Sequence, residues 1–120
     1  MRPSTFLAAV VLLLFFVPAS TQAALLAGKA RVDITDRAVG PVNDPCYAKA
    51  LVLKNGETTA VLVTVDAVSI GGIGRIGNGF MATVRDALQT DLGIAPSSLV
   101  VNASHCHGIV RGDLEPLVVQ

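Results

Sequence analysis

The chain has 120 residues, with nine basic and nine acidic side chains, and aromatic residues make up only 4% of it. A net charge of zero provides no basic stripe for a phosphate backbone, and the few aromatic rings provide no platform for stacking bases. This composition argues against nucleic-acid binding. About a hundred residues remain after the apolar N-terminal segment, which is enough for one small hydrophobic core.

The N-terminus has the layout of a secretory signal peptide. Arg2 gives it a basic start, residues 6–17 are apolar and uncharged, and small residues at Thr21 and Ala23 mark a cleavage site. The apolar stretch is shorter than the roughly 20 residues that a membrane span requires. We therefore predict a signal peptide over residues 1–23 and a secreted or periplasmic mature chain over 24–120. An uncleaved N-terminal anchor is the alternative.

The mature sequence predicts a β-hairpin followed by a β-α-β unit. Strands are expected over 28–35, 47–53, 60–65 and 99–103, and a helix over 80–92. The Asn55-Gly56 pair between the second and third strands favours a tight hairpin turn. We expect an α/β fold whose mixed sheet belongs to a larger enzyme domain, incomplete in this chain. If the strands at 60 and 99 pair in parallel, Asp66 and His105 both emerge at the carboxyl edge of the sheet.

The stretch at 72–77 fits the pattern G-x-G-x-x-G between a strand and a helix. A dinucleotide site also needs these glycines close to the strand end and an acidic residue at the end of the next strand. Neither condition is met, because six residues separate Val65 from Gly72 and the next strand ends in Asn102-Ala103-Ser104. A flexible loop is the better interpretation.

The two histidines, His105 and His107, follow an apolar strand and are the only histidines in the chain. In an extended segment residues two apart share one face, so the two imidazoles should project together. Such a pair at a strand end is a typical start of a zinc site. A metallo-β-lactamase cluster is excluded, because Ile109 and Val110 stand where that pattern needs aspartate and histidine. An amidohydrolase barrel carries its histidine pair on the first strand, whereas at least three strands precede this one.

Two cysteines allow one disulfide, Cys46–Cys106, in an exported chain. The alternative is a pair of small buried thiols. The sequence leaves both open.

The mature segment resembles the N-terminal part of the neutral/alkaline non-lysosomal ceramidase-like family. Four stretches carry the resemblance: GKARVDIT at 28–35, DPCYAKALVL at 44–53, VTVD at 63–66 and ASHCHG at 103–108. The last is similar to the family signature Thr-His-Thr-His-Ser-Gly, with Cys106 in place of a threonine.

The resemblance implies a zinc-dependent hydrolase that cleaves the N-acyl bond of ceramide-type lipids, with transient contact at a membrane surface. It implies that His105 binds Zn²⁺ and that the catalytic His107 lies beside the metal and helps bind or polarise the substrate. The other ligands of the family, a histidine, a glutamate and a tyrosine, come from regions that this chain does not contain. We assign Asp66 as the carboxylate that orients His105; a simple strand-terminating role for Asp66 is the alternative, and Asp33 is expected to serve as a turn or cap residue.

Ceramidase-like enzymes are several times longer than 120 residues, so we expect an N-terminal fragment that is inactive alone. The alternative function is a short, secreted, non-catalytic module with a partial or structural histidine pair.

Overall fold

A computed structural model describes residues 24–114, and the predicted signal peptide lies outside the described residues. The elements are, in chain order, β1 (Leu25–Asp33), β2 (Tyr47–Asn55), β3 (Thr58–Val65), α1 (Phe80–Leu92) and β4 (Leu99–Ala103), with short 3-10 turns at Arg37–Val39 and Pro96–Ser98. The four strands form one mixed sheet in the order β1-β2-β3-β4. The chain therefore has a mixed α/β fold.

The predicted hairpin and the predicted β-α-β unit are both present. β2 and β3 are antiparallel, whereas β3 and β4 are parallel and are connected through α1. Asn55 pairs with Thr58 inside the ladder, so the turn consists of Gly56 and Glu57 rather than the Asn-Gly pair. Gly56 has a φ of 57°, which glycine adopts without the steric penalty of a side chain.

The core lies between α1 and one face of the sheet. On β3 the side chains of Val61, Val63 and Val65 alternate into this core, as the period of two in a strand requires. On α1 the buried residues are Phe80, Val84 and Leu88, which recur every four positions and so form one apolar stripe.

The helix has the bounds that its periodicity predicts, and it ends at Gly93. This residue is left-handed (φ 65°), and its backbone N–H bonds to carbonyls of the last turn. The segment between β3 and α1, residues 66–79, contains no helix or strand. The glycines at 72–77 thus lie in a long irregular connection, as expected of a loop.

The segment after β4 returns to the start of the sheet. Thr35 and Val110 form an isolated antiparallel bridge, supported by hydrogen bonds from Asp36 N to Ile109 O (3.0 Å) and from Arg111 N to Ile34 O (2.9 Å). The side chains of Ile34, Val110 and Leu114 are all buried in the core cluster. Both ends of residues 104–110 are therefore fixed to the sheet.

Candidate functional site

The candidate site lies at the carboxyl edge of β3 and β4, where the parallel pairing continues past the ends of both strands. Ser104 N donates to Val65 O at 3.0 Å, and Cys106 N donates to Ala67 O at 3.0 Å. These two bonds hold the histidine segment, defined here as residues 104–108, against the start of the loop that follows β3. Ligand sites in open α/β sheets lie at this edge.

The structure brings the two histidine rings together. Their centroids are 5.1 Å apart, and the ring planes meet at 87° in an edge-to-face arrangement. Both residues are exposed to solvent.

The cause of this proximity differs from the prediction. β4 ends at Ala103, and His105 has a φ of 59°, so the histidines are not alternating residues of an extended strand. A left-handed turn at His105, between the two backbone bonds of its neighbours, places the rings side by side. A positive φ is uncommon outside glycine, and it is found more often at functional segments.

The hydrogen bond of His105 fixes which of its ring nitrogens is free. Nδ1 lies 3.0 Å from the carbonyl oxygen of Val68. Because a carbonyl oxygen only accepts, Nδ1 carries the hydrogen, and in the neutral ring the lone pair is on Nε2. A histidine held in this way, with its second nitrogen bonded to a carbonyl, has the arrangement typical of metal ligands.

The assignment of Asp66 as the partner of His105 is corrected by this bond. The His105 ring contacts the Val68 carbonyl, and the Asp66 carboxylate instead accepts from Tyr47 N at 3.0 Å, from Lys49 Nζ at 2.9 Å and from Ser104 Oγ at 3.1 Å. The strand edge does bring Asp66 to the histidine segment. Its contact in that segment is with Ser104, the residue before His105, whose hydroxyl donates to the Asp66 carboxylate.

Asp66 remains ionised under ordinary conditions. Its partial burial raises the pKa, but the hydrogen bonds from Lys49, the Tyr47 backbone and Ser104 outweigh this effect and leave the pKa below its usual value. The lysine is half-exposed to solvent, whereas the carboxylate is largely covered.

A cavity of about 360 Å³ opens beside His107. Its polar lining includes His107, Ser69 and Arg75, and its apolar walls are Val39, Ala67, Val68, Ile109 and Val110. His105 is not part of this lining. The two histidines therefore differ in position, one bonded to the loop after β3 and the other facing a partly apolar cavity.

Sequence reasoning missed Arg75 and the carbonyl of Val68. Arg75 pairs with Asp36 and also donates to Val110 O at 3.2 Å, so it connects the loop after β3 to both strands of the bridge. The signal for it was present, since Arg75 is the one basic residue within 71–79. A backbone carbonyl carries no side-chain signal, so nothing in the sequence pointed to Val68.

Asp33 and Asp36 have local structural roles. Asp33 accepts from Thr35 N at 2.9 Å and pairs with Arg37, and these hydrogen bonds, those of Thr35 first, lower its pKa to about 2. Asp36 accepts from Ala38 N at the start of the 3-10 turn, and the adjacent Arg75 lowers its pKa. Asp33 is thus a turn residue, as expected.

Cys46 and Cys106 are both free thiols in this structure. Burial, and next the neighbouring Cys106, raise the pKa of the Cys46 thiol. The sulfurs of Cys46 and Cys106 both lie beside Gly108, and no disulfide joins them.

Among residues 24–114, no group of three or more histidine, cysteine, aspartate or glutamate side chains is arranged to hold a metal ion. The histidine pair can therefore provide two ring nitrogens, and a closed zinc site needs further ligands.

Comparison with known proteins adds no assignment: the chain matches no protein-family model and no curated protein. No helix within the described range has the length and apolar character that crossing a membrane requires.

Proposed function

We propose that this chain is the N-terminal part of an exported, zinc-dependent amide hydrolase that cleaves the N-acyl bond of ceramide-type lipids. The observation that carries the proposal is the pair of adjacent imidazoles, 5.1 Å apart, at the carboxyl edge of parallel strands. In this proposal His105 is a zinc ligand and His107 acts on the substrate.

The tautomer of His105 supports its role as a ligand. Its Nδ1–H is engaged by Val68 O, so in the neutral ring the Nε2 lone pair faces away from this bond and is available to a metal. The backbone on both sides of His105 is bonded to Val65 and Ala67, which fixes the position of the residue, and the bond to Val68 O orients its ring. A preorganised ligand loses little conformational freedom on binding a metal.

His105 is a ligand of a kind that zinc takes in proteins, and the proposal assigns the remaining ligands to sequence beyond Gln120. The resemblance implies that these are a histidine, a glutamate and a tyrosine. When bound, zinc would polarise the amide carbonyl and lower the pKa of its bound water to about 7.

The position of His107 supports contact with the substrate. It faces the 360 Å³ cavity, whose apolar walls suit the first carbons of an acyl chain and whose volume is within the roughly 300–1,000 Å³ of typical ligand sites. An imidazole in the lining of this cavity can donate to the amide oxygen or return a proton to the leaving nitrogen.

The outer face of the sheet supports a larger domain. Leu51, Leu62 and Val100 are neighbours in register across β2, β3 and β4, and they are 40%, 41% and 59% exposed. Parallel strands are usually covered on both faces, whereas α1 covers only one. We infer that further chain covers this row in the complete enzyme.

The second candidate is a short, secreted, non-catalytic module. It is favoured by the exposure of both histidines to solvent. The DNA that follows codon 120 discriminates between the two functions. A continuing frame that encodes another histidine, a glutamate and a tyrosine supports the enzyme, and a stop codon supports the module.

The enzyme proposal is tested by two variants of the product of the continuing frame. We expect His105→Ala to reduce zinc content to background in elemental analysis, because the variant removes a ligand. We expect His107→Ala to retain zinc but to lose at least about tenfold in kcat on N-acyl amides, because it removes a proton donor. The substrates are a panel of N-acyl amides, each tested with and without chelator.

Gln89→Ala is the control, since it removes an exposed polar side chain of α1 and leaves both imidazoles and their contacts in place. Unchanged zinc content in His105→Ala would reject the metal role of His105. Equal turnover by His107→Ala and the unmodified protein would reject the catalytic role of His107.

A further inference from the structure

Two thiols, one within the histidine segment and one just before β2, take no part in the proposed function. Cys46 immediately precedes β2 and is 4% exposed, whereas Cys106 lies between the two histidines and is half-buried. Burial raises the pKa of the Cys46 thiol, and the nearby Cys106 raises it further.

The surroundings of Gly108 show independently that the two sulfurs face one position. Gly108 N donates to Cys106 Sγ at 3.3 Å. A Cβ atom placed on Gly108 would overlap Cys46 Sγ and would lie 3.3 Å from Cys106 Sγ. Both sulfurs therefore border the position that a Gly108 side chain would occupy, and the absence of that side chain leaves them the space.

The backbone on each side holds the thiols in place. Cys46 N donates to Thr35 Oγ1 at 2.9 Å, and Cys46 O accepts from Ile34 N at 2.9 Å. Cys106 N donates to Ala67 O at 3.0 Å. The two thiols are thus presented to each other by separate elements, which raises their effective concentration for reaction.

We propose that Cys46 and Cys106 form a redox-dependent disulfide that fastens the histidine segment to the start of β2. The structure shows the reduced form of this pair. In the oxidised form the bond would be made by Cys106, the residue between His105 and His107, and would restrict the movement of both histidines.

The reaction is thiol–disulfide exchange with a small disulfide such as oxidised glutathione. The more exposed sulfur, Cys106, loses its proton to water and attacks one sulfur of the small disulfide, which forms a mixed disulfide and releases one thiolate. The Cys46 sulfur then loses its proton and attacks Cys106 Sγ, which forms the Cys46–Cys106 bond and releases the second thiolate. The two released thiolates take up the two protons, so two protein thiols are oxidised and one small disulfide is reduced to two thiols.

The inference does not depend on zinc or on amide hydrolysis, because it rests on the two sulfurs and the segment between the histidines. It applies to the enzyme and to the non-catalytic module alike. An oxidising compartment, which the predicted signal peptide implies, would favour the bonded form.

The test equilibrates the full chain with oxidised and reduced glutathione, blocks the remaining thiols by alkylation, and identifies cysteine peptides by mass spectrometry. We expect a monomer in which peptides containing Cys46 and Cys106 are joined, with neither cysteine alkylated. Hydrogen exchange of the amides at 104–108 should slow at least about tenfold in this oxidised form, since local opening of the segment is restricted.

The variants Cys46→Ser and Cys106→Ser provide matched controls. We expect Cys46→Ser to carry glutathione on Cys106, and Cys106→Ser to leave the buried Cys46 unmodified. Cysteines that stay alkylatable in oxidised glutathione, or that join two chains, would overturn the proposal. An intramolecular bond with unchanged amide exchange at 104–108 would overturn the fastening role.

Discussion

At the scale of single residues, the Asp66 carboxylate joins three parts of the candidate site. It follows β3, accepts from the backbone and the side chain of β2 residues Tyr47 and Lys49, and accepts from Ser104 just before the histidines. Hydrogen bonds to a charged group contribute about 1.5–3 kcal/mol each when a partner is removed. Asp66 is therefore a positioning residue for the histidine segment, acting through Ser104.

We expect Asp66→Asn to lower the free energy of unfolding by about 1–3 kcal/mol, because the amide retains one acceptor oxygen and loses the charge. Chemical denaturation of the full chain measures this effect. The amides at 104–106 should exchange by local opening of the sheet edge, and that exchange should also become faster; a destabilisation that acts only on complete unfolding would accelerate the core amides and leave local opening unchanged.

Lys49→Met is the control for the ion pair alone. Lys49 is half-exposed, and exposed pairs contribute about 0–1 kcal/mol, so this variant should have the smaller effect. A loss in Lys49→Met equal to that in Asp66→Asn would show that the backbone and Ser104 bonds contribute nothing.

The backbone conformation of His105 is a feature of the site that the sequence did not predict. Two histidines after an apolar strand indicated adjacent rings, and the rings are adjacent, but the prediction relied on the alternation of side chains along an extended strand, which the histidines do not follow. The left-handed backbone of His105 (φ 59°) could not be predicted. It depends on bonds to Val65 and Ala67, almost 40 positions earlier, and no local pattern encodes those partners.

At the scale of elements, α1 is held to the sheet by one stripe of side chains. Leu88 belongs to this stripe and is 6% exposed, whereas Leu92, one turn later on the same helix, is 59% exposed. The same substitution at these two positions separates packing from helix propensity.

We expect Leu88→Ala to lower the free energy of unfolding by about 2–5 kcal/mol, since it removes a buried side chain and leaves a cavity. Leu92→Ala should change it by no more than about 0.5 kcal/mol. Both are measured by urea denaturation. Equal losses at the two positions would mean that α1 does not dock on the sheet through this stripe.

The bounds of α1 and β4 match their sequence patterns, because burial on one side imposes a regular apolar spacing. β2 and β3 are predicted over 47–53 and 60–65, and each extends two residues further into the hairpin, as Tyr47–Asn55 and Thr58–Val65. β1 differs most: it is predicted over 28–35 and runs over Leu25–Asp33. All but one of its residues are exposed, so its limits follow from pairing with β2 (Leu25 with Asn55, Asp33 with Tyr47) and not from a buried pattern.

At the scale of the whole molecule, ion pairs join segments that are far apart in the sequence. Asp36 with Arg75 joins the loop after β1 to the loop after β3, and Asp66 with Lys49 joins the residue after β3 to β2. Hydrogen bonds and the neighbouring cations lower the pKa of Asp33, Asp36, Asp66 and Asp113 below their ordinary value of 3.8. Because all four pKa values are lowered in the folded state, the free energy of unfolding should depend on pH in the acid range.

We expect the full chain to lose stability as the pH falls from about 5 through 3.8 to about 2. A carboxyl whose pKa is lower in the folded state binds fewer protons there than in the unfolded state. Its contribution is therefore present above the unfolded pKa and disappears as the pH falls through the folded pKa, which for Asp33 is about 2. Urea midpoints measured across this range should decrease steadily.

Asp33→Asn should make that decrease shallower, because it removes one of the carboxyl groups responsible for it. Asp44 is an exposed carboxyl in the loop before β2, so Asp44→Asn is the matched control for the loss of one negative charge. A midpoint that stays constant down to pH 2 would show that these carboxylates do not bind protons differently in the two states, and the acid dependence would have to be abandoned.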